Sequence, residues 1–327
     1  MNKVDSFFNS IKGKKVAFLG IGKSNLPLIY KFLDRYIEVF ACDKRDEASI
    51  DQNTIASLKS AGAKLLLGND YLKNLDVDII FRTPGMKYFL PELCEARENG
   101  IVVTSEMEVF FDLCPCKTIA VTGSDGKTTT TTLIATILKE QGYNVHLGGN
   151  IGTPLLPIIE QVDENDIAVV ELSSFQLISM RKSPDVAVVT NISPNHLDVH
   201  GTMEEYIDAK CNLLRHQNAF SRTVLNYDNE ETMKLSPLVR GKLVNFSLTR
   251  EVETGAFLRE DGVLCYKEKG EITEIIIPDT TAVIESSAFK DCSSLTGTLI
   301  LPENLVVIDG GAFEGCAGFR GDLIIPE

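Results

Sequence analysis

Thr122, Gly123, Ser124, Asp125, Gly126, Lys127 and Thr128 stand between an apolar run, Thr118 to Val121, and a helical pattern that continues to about Gln141. A strand, a glycine-containing turn, and a lysine and threonine at a helix start make a phosphate cradle. Backbone N–H groups face the anion, the lysine meets the β- and γ-phosphates, and the threonine hydroxyl meets Mg²⁺. The full Walker pattern places a glycine at position 121, where this chain has Val121, which leaves a plain strand-to-helix turn as the alternative. Glu171 ends a second apolar run, Ile167 to Val170, ahead of Leu172, Ser173 and Ser174. The carboxyl ends of strands in an open α/β sheet face the ligand crevice, so Glu171 is a candidate metal ligand opposite the phosphate loop. A carboxylate at a helix N-terminus is its bland alternative.

A weaker turn, Gly20 to Asn25, follows the run that begins at Val16. Asn25 replaces the third glycine of the dinucleotide fingerprint, and Asp43 falls after the next strand, where an acidic residue meets a ribose. These residues support a nucleotide-binding crevice without NAD specificity and leave open a tight turn with no ligand. Thr190 to Asp198 also follow a strand; His196 and His200 are four apart, a spacing that can bind zinc, but no Glu follows His196 and Pro194 argues against a continuous helix. Only its loop placement raises His196 above a structural histidine. Lys210, in a helical stretch after Tyr206, reads by itself as a solvated lysine. Cys114 and Cys116 flank Pro115 and suggest a turn, with no catalytic setting for either thiol.

The elements that must position these residues read as two α/β units. Short apolar runs at Val16 to Gly20, Glu38 to Cys42, Lys64 to Leu67, Val77 to Phe81 and Ile101 to Val103, with a helix over Leu26 to Leu33, predict a small parallel, Rossmann-like sheet in residues 1–113. Runs at Thr118 to Val121, Ile167 to Val170, Val186 to Thr190 and Thr223 to Asn226 predict a second α/β sheet carrying the phosphate loop in residues 114–270. A chain of 327 residues has room for two or three domains. Its formal charge of −14 argues against a nucleic-acid surface, so any phosphate is held locally. No secretory signal or bilayer-length apolar run is read, and eight scattered cysteines fit reduced thiols, so a cytoplasmic protein is expected.

From Glu271 the texture changes. Pro278, Phe289, Cys292, Gly297 and Leu299 recur as Pro302, Phe313, Cys316, Gly321 and Leu323, each 24 residues later. Such a period is a solenoid signature, and residues 271–327 resemble the leucine-rich repeats of bacterial surface proteins, with an Ala-Phe pair turned inward once per coil. The repeats cover about two coils, fewer than the three or so that a solenoid needs to bury its core. Their partner is unknown.

"TGSDGKTTT", "GGNIG", "ELSSFQL", "NISPNHLDVH" and "VLNYDNE", preceded by "FLGIGKSN", "ACDKRD", "RTPGM" and "SEMEVF", occur in one order in this chain. That combination closely resembles the Mur ligase family over about residues 1–270, and within it the D-glutamate-adding branch. The resemblance implies ATP and Mg²⁺ as cofactors, and UDP-N-acetylmuramoyl-L-alanine and D-glutamate as substrates joined through an acyl phosphate in peptidoglycan precursor synthesis. It implies that Gly123, Ser124, Asp125, Gly126, Lys127, Thr128 and Thr129 hold the nucleotide phosphates, with Asn226 and Asp228 at the adenosine. Thr128 and Glu171 would hold one Mg²⁺. His196, with Lys210 carbamylated, would hold a second. Gly22, Ser24, Asn25, Asp43, Arg45, Thr83, Pro84, Gly85, Asn150, Ser173 and Gln176 fall at the UDP-sugar. No nucleic-acid or membrane partner is implied, and a monomer is expected.

Family members continue into a third α/β domain that binds D-glutamate and closes over ATP; this chain enters its repeats after "AFLREDGVLCYKEKGEI". Closure excludes water from the acyl phosphate, so loss of that domain is expected to stop ligation or leave futile hydrolysis. Three readings follow: a working ligase, a remnant that binds UDP-sugar and ATP without making the amide, and an interaction module fused to a ligase fragment.

Overall fold

A computed structural model describes residues 2–73, 75–195, 201–260, 262–269 and 271–325. The chain divides into two compact units, residues 1–221 and 222–327. The α/β architecture with parallel sheets is the one expected from sequence.

The first unit opens with helix α1 (Lys3–Ser10) and a parallel sheet of β1 (Lys15–Leu19), β2 (Glu38–Asp43), β3 (Lys64–Leu67), β4 (Ile79–Arg82) and β5 (Val102–Thr104). The strands lie in the order β3-β2-β1-β4-β5. Order reverses beside β1, which makes the carboxyl end of that strand the crevice position of a doubly wound fold. Helices α2 (Leu26–Leu33), α3 (Gln52–Ser60), α4 (Pro91–Glu98) and α5 (Glu106–Leu113) connect the strands. Fully buried Phe18, Phe32 and Phe81 form an aromatic core; the rings of Phe18 and Phe81 stack with centroids 4.9 Å apart and Phe32 meets both edge-on, a geometry that suits the ring quadrupoles. Leu19, Cys42, Ile80 and Leu93 belong to a second cluster.

The same unit carries a second parallel set, β6 (Lys117–Thr122), β7 (Val145–Gly149), β8 (Ile167–Glu171) and β9 (Val186–Val189), in the order β9-β6-β8-β7. Strand β6 is therefore central, and helix α6 (Lys127–Glu140) leaves its carboxyl end. The short helix α7 (Ser174–Leu177) follows β8, and α8 (Met203–Arg215) follows β9. Thr202 caps α8 by accepting from the Glu205 N–H, and Tyr206, Ala209, Lys210, Leu213 and Leu214 form its buried face at helical spacing. Among the described residues no helix is long and apolar enough to cross a membrane.

The second unit holds β10 (Arg222–Asn226), α9 (Glu230–Met233), β11 (Lys242–Ser247), β12 (Gly255–Leu258), β13 (Leu264–Glu268) and β14 (Glu271–Ile276). Strands β10, β11 and β12 run parallel, while β13 and β14 join antiparallel. The segment from Glu271, read from sequence as the start of the repeats, thus opens as a sheet strand. Beyond it, β15 (Val283–Ile284) pairs with β17 (Val307–Ile308) and β16 (Leu299–Ile300) with β18 (Leu323–Ile324), both in parallel, so each of these strand residues meets the one 24 positions away. Phe289 and Phe313 stack with centroids 5.1 Å apart. Phe289, Leu295 and Leu301 share one buried cluster with Phe257 and Cys265 of the sheet, which gives two coils an apolar neighbour that they lack alone.

Candidate active site

The phosphate loop is shaped by what surrounds two of its glycines. A Cβ on Gly123 would lie 1.9 Å from Thr190 Oγ1 and 3.0 Å from the Asn191 carbonyl, so any side chain there forces its neighbours to shift. Gly126 has open space around it but caps α6 in the left-handed conformation, with φ +74°, which L side chains avoid. The loop is braced from β9: Asn191 Oδ1 accepts from the N–H groups of Ser124 and Asp125 at 3.2 and 2.9 Å, and Thr190 Oγ1 donates to the Asp125 carbonyl at 2.6 Å. Ser124 is buried, accepting from the Ser193 N–H at 2.9 Å and lying 3.0 Å from the Tyr206 hydroxyl. Behind the Gly126 cap, Lys127, Thr128 and Thr129 begin α6, where first-turn N–H groups have no intrahelical acceptor and the helix dipole favours an anion. Lys127 Nζ donates back to the Ser124 carbonyl at 2.8 Å, folded over the cradle that its charge would serve.

Glu171, 1% exposed, ends β8 beside the loop. Thr128 Oγ1 donates to Glu171 Oε2 at 2.6 Å, and Asn150 Nδ2 donates to Oε1 at 2.7 Å. Two hard oxygens in contact at a phosphate loop are the donor set that Mg²⁺ takes when nucleotide phosphates and water complete its shell, so these residues fit that ion. Lys210 corrects the solvated-lysine reading of its residue type. It is 1% exposed, donates to the Gly123 carbonyl at 2.9 Å, and sits over the Tyr206 ring, 4.5 Å from its centroid. Burial, and then the charge of Lys127, pushes its amine down to about 7, so a large fraction is neutral and nucleophilic near neutrality. His196 and His200 lie outside the described residues. No cluster of three or more His, Cys, Asp or Glu side chains suited to a metal is found among the described residues.

The first sheet contributes a second group of side chains. Asp43 accepts from the Ile21 N–H at 2.8 Å and takes a two-point contact from Arg45, Nε to Oδ1 at 2.9 Å and Nη2 to Oδ2 at 2.8 Å. Burial raises the Asp43 carboxyl, but the Arg45 and Ile21 donors outweigh it and hold the group below the usual carboxylate range. Asn25 is buried under the Gly20–Gly22 turn, donating to the Leu19 and Gly20 carbonyls at 3.0 and 3.2 Å. It therefore tightens the turn where a fingerprint glycine would stand.

Ser24, Thr83, Pro84, Gly85, Asn150 and Gln176, all read from sequence as substrate residues, line one cavity of about 230 Å³. Ser173 and Gln176 also form a capping box on α7: Ser173 Oγ accepts from the Gln176 N–H and Gln176 Oε1 accepts from the Ser173 N–H at 2.9 Å. Asn226 and Asp228 belong to the second unit. There Asp228 ties the strand end after β11, accepting from Ser247 Oγ at 2.7 Å, Thr249 Oγ1 at 2.6 Å and the Leu248 N–H at 2.7 Å.

Sequence reasoning passed over Tyr206, Thr190 and Asn191, Glu106 and Arg82. Tyr206 had a signal, its four-residue spacing from Lys210, which puts both on one helix face. Glu106 lines the cavity and accepts from the Leu155 and Leu156 N–H groups, both at 2.8 Å. Burial pushes its carboxyl up to about 7 against the pull of those two donors.

Residues 121–289 match the Mur ligase middle domain, more than half of the chain, and residues 262–324 match the BspA type leucine-rich repeat region. UDP-N-acetylmuramoylalanine–D-glutamate ligase of Acetivibrio thermocellus is 53% identical over 274 residues, covering 84% of this chain and 58% of that protein. Its namesake in Ruminiclostridium cellulolyticum is 50% identical over 279 residues, covering 85% and 60%. The chain thus spans under two thirds of the length of these relatives. Among solved structures, UDP-N-acetylmuramate:L-alanyl-gamma-D-glutamyl-meso-diaminopimelate ligase from Neisseria meningitides superposes with TM-score 0.52 at 17% identity, covering 80% of this chain and 86% of that one, a likeness of fold.

Proposed function

Because this chain belongs to the Mur ligase family, we propose that it binds ATP and UDP-N-acetylmuramoyl-L-alanine and activates the alanine carboxylate for amide formation with D-glutamate. The observation that carries this reading is the hydrogen-bonded series Thr128–Glu171–Asn150, which runs from the phosphate loop to the wall of the cavity shared by Ser24, Thr83 and Gln176. One residue, Asn150, serves both places.

A carboxylate is a poor electrophile. Transfer of the γ-phosphoryl group of ATP to it releases ADP and gives an acyl phosphate, which the D-glutamate amine attacks, expelling phosphate. Lys127 and the first-turn N–H groups of α6 offset charge on the transferring group. Mg²⁺, when bound by Thr128 and Glu171, neutralises further phosphate charge. Lys210 is buried and partly neutral, so its amine can add carbon dioxide, lose a proton and become a carbamate. This exchanges a buried cation for an oxygen ligand. Asp43 and Arg45 shape the turn at Ile21 and Gly22 toward the uridine diphosphate, and Asn226 and Asp228 serve the adenosine. The protein acts as a cytoplasmic monomer, with residues 1–113 and 114–270 as its ligase part and the repeats following the sheet strand Glu271–Ile276.

A second reading, carboxylate activation by a chain whose repeats serve as an interaction module, is favoured by the match of residues 262–324 to the BspA type leucine-rich repeat region. Hydroxylamine trapping tests the shared step. ADP and a hydroxamate of the UDP-sugar should form together, only when both ATP and UDP-sugar are present; ADP formation indifferent to the sugar would sink both readings.

A further inference from the structure

Arg82 has no part in the chemistry above, yet it is among the largest fully buried side chains, 1% exposed at the end of β4. Its donors are only partly satisfied: Nη1 reaches the Met86 carbonyl at 3.4 Å and Nε is buried with no partner among the described residues, so the contacts of Nη2 must hold the buried charge. Nη2 donates to the Phe175 carbonyl at 2.9 Å and to Ser179 Oγ at 2.8 Å. The Ser179 hydroxyl passes the contact on, donating to Glu108 Oε2 at 2.8 Å, and Ser105 Oγ donates to the same oxygen at 2.8 Å. The members come from three places, the end of β4, the start of α5 and the region of α7.

Their chain neighbours are the cavity walls. Thr83, Pro84 and Gly85 follow Arg82, Glu106 and Met107 lie between Ser105 and Glu108, and Gln176 lies between Phe175 and Ser179. We propose that Arg82, Ser179 and Glu108 form a clasp that fixes the walls of this cavity, making Arg82 a positioning residue for the UDP-sugar without touching it. The inference rests on the assignment of that cavity under Proposed function. The contacts that brace the phosphate loop, from Asn191, Thr190 and Tyr206, include no member of the clasp, so nucleotide binding should not depend on it.

Calorimetric titration of the full chain with UDP-N-acetylmuramoyl-L-alanine and, separately, with MgADP separates the two. Arg82→Met should weaken the UDP-sugar at least tenfold and leave MgADP within twofold. Ser179→Ala, which removes one hydroxyl, should weaken the UDP-sugar severalfold, and the double variant should bind no worse than Arg82→Met alone, as expected of one coupled unit. If Arg82→Met does not fold, Ser179→Ala and Glu108→Gln decide the matter by the same pair of titrations. Folded variants that bind the UDP-sugar as the unaltered chain does, or that lose both ligands alike, overturn the clasp. Failure of the unaltered chain to bind the UDP-sugar would overturn the assignment of the cavity, and the clasp with it.

Discussion

Two residues make the local physics of the site testable. A methyl group at Gly123 would collide with Thr190 Oγ1, the atom that braces the Asp125 carbonyl. Gly123→Ala should therefore destabilise the fold by about 1–3 kcal/mol, read by urea unfolding, and an unchanged midpoint would mean that the loop yields freely. Glu106 is the second. Its folded value of about 7 lies above the ordinary 4.5, so folding takes up a proton between them. The stability it contributes is complete below about pH 4.5 and is lost as pH rises through about 7, on the order of 3 kcal/mol at 1.36 kcal/mol per unit. Glu106→Gln should flatten the stability profile across that window; parallel profiles for the two proteins would show that the carboxyl is ionised throughout. Thr122 to Thr128 were legible because a phosphate loop is a local pattern. Arg82 and Glu106 were not, because their partners Ser179 and Leu155 lie 97 and 49 positions away, and nothing local marks a buried charge.

Helix α8 delivers Lys210 and Tyr206 to the loop, and its N-terminal turn rests on the Thr202 cap. Thr202→Ala should cost about 1 kcal/mol and lower the fraction of Lys210 modified by carbon dioxide, measured by ¹³C NMR with labelled bicarbonate; an unaltered carbamate signal in the less stable variant would show that the cap does not set the position of Lys210. In the second unit Phe289, 2% exposed, joins the coils to the sheet cluster. Phe289→Ala should cost about 3–5 kcal/mol and lift hydrogen-exchange protection from β12 and β13 as well as from the coils, whereas loss confined to the coils would mean that the two fold separately. Elements dense in apolar residues, such as Leu26–Leu33 and Lys64–Leu67, were readable to the residue. Strand β7 was not, because Gly148 and Gly149 dilute its pattern. Strand β14 alternates as a coil strand does, and only its partner β13 makes it part of the sheet.

At the scale of the whole chain, parallel strands place the Thr122–Thr128 turn and the cavity lined by Ser24, Thr83 and Gln176 in one compact unit, and a 24-residue register organises the end of the other. The order of motifs announced that plan, since each sits where a strand ends and the chain must turn at the crevice. Side-chain burial and the continuity of the sheet core with the coils depend on packing and carried no signal in the motif order. The most direct measurement is mass spectrometry of the full chain incubated with MgATP, UDP-N-acetylmuramoyl-L-alanine and D-glutamate. The amide product and stoichiometric ADP should appear, and Lys127→Ala should reduce both by about a hundredfold or more while still binding the UDP-sugar. A protein that binds the UDP-sugar and MgATP yet forms neither ADP nor amide would contradict the assignment of this site to carboxylate activation.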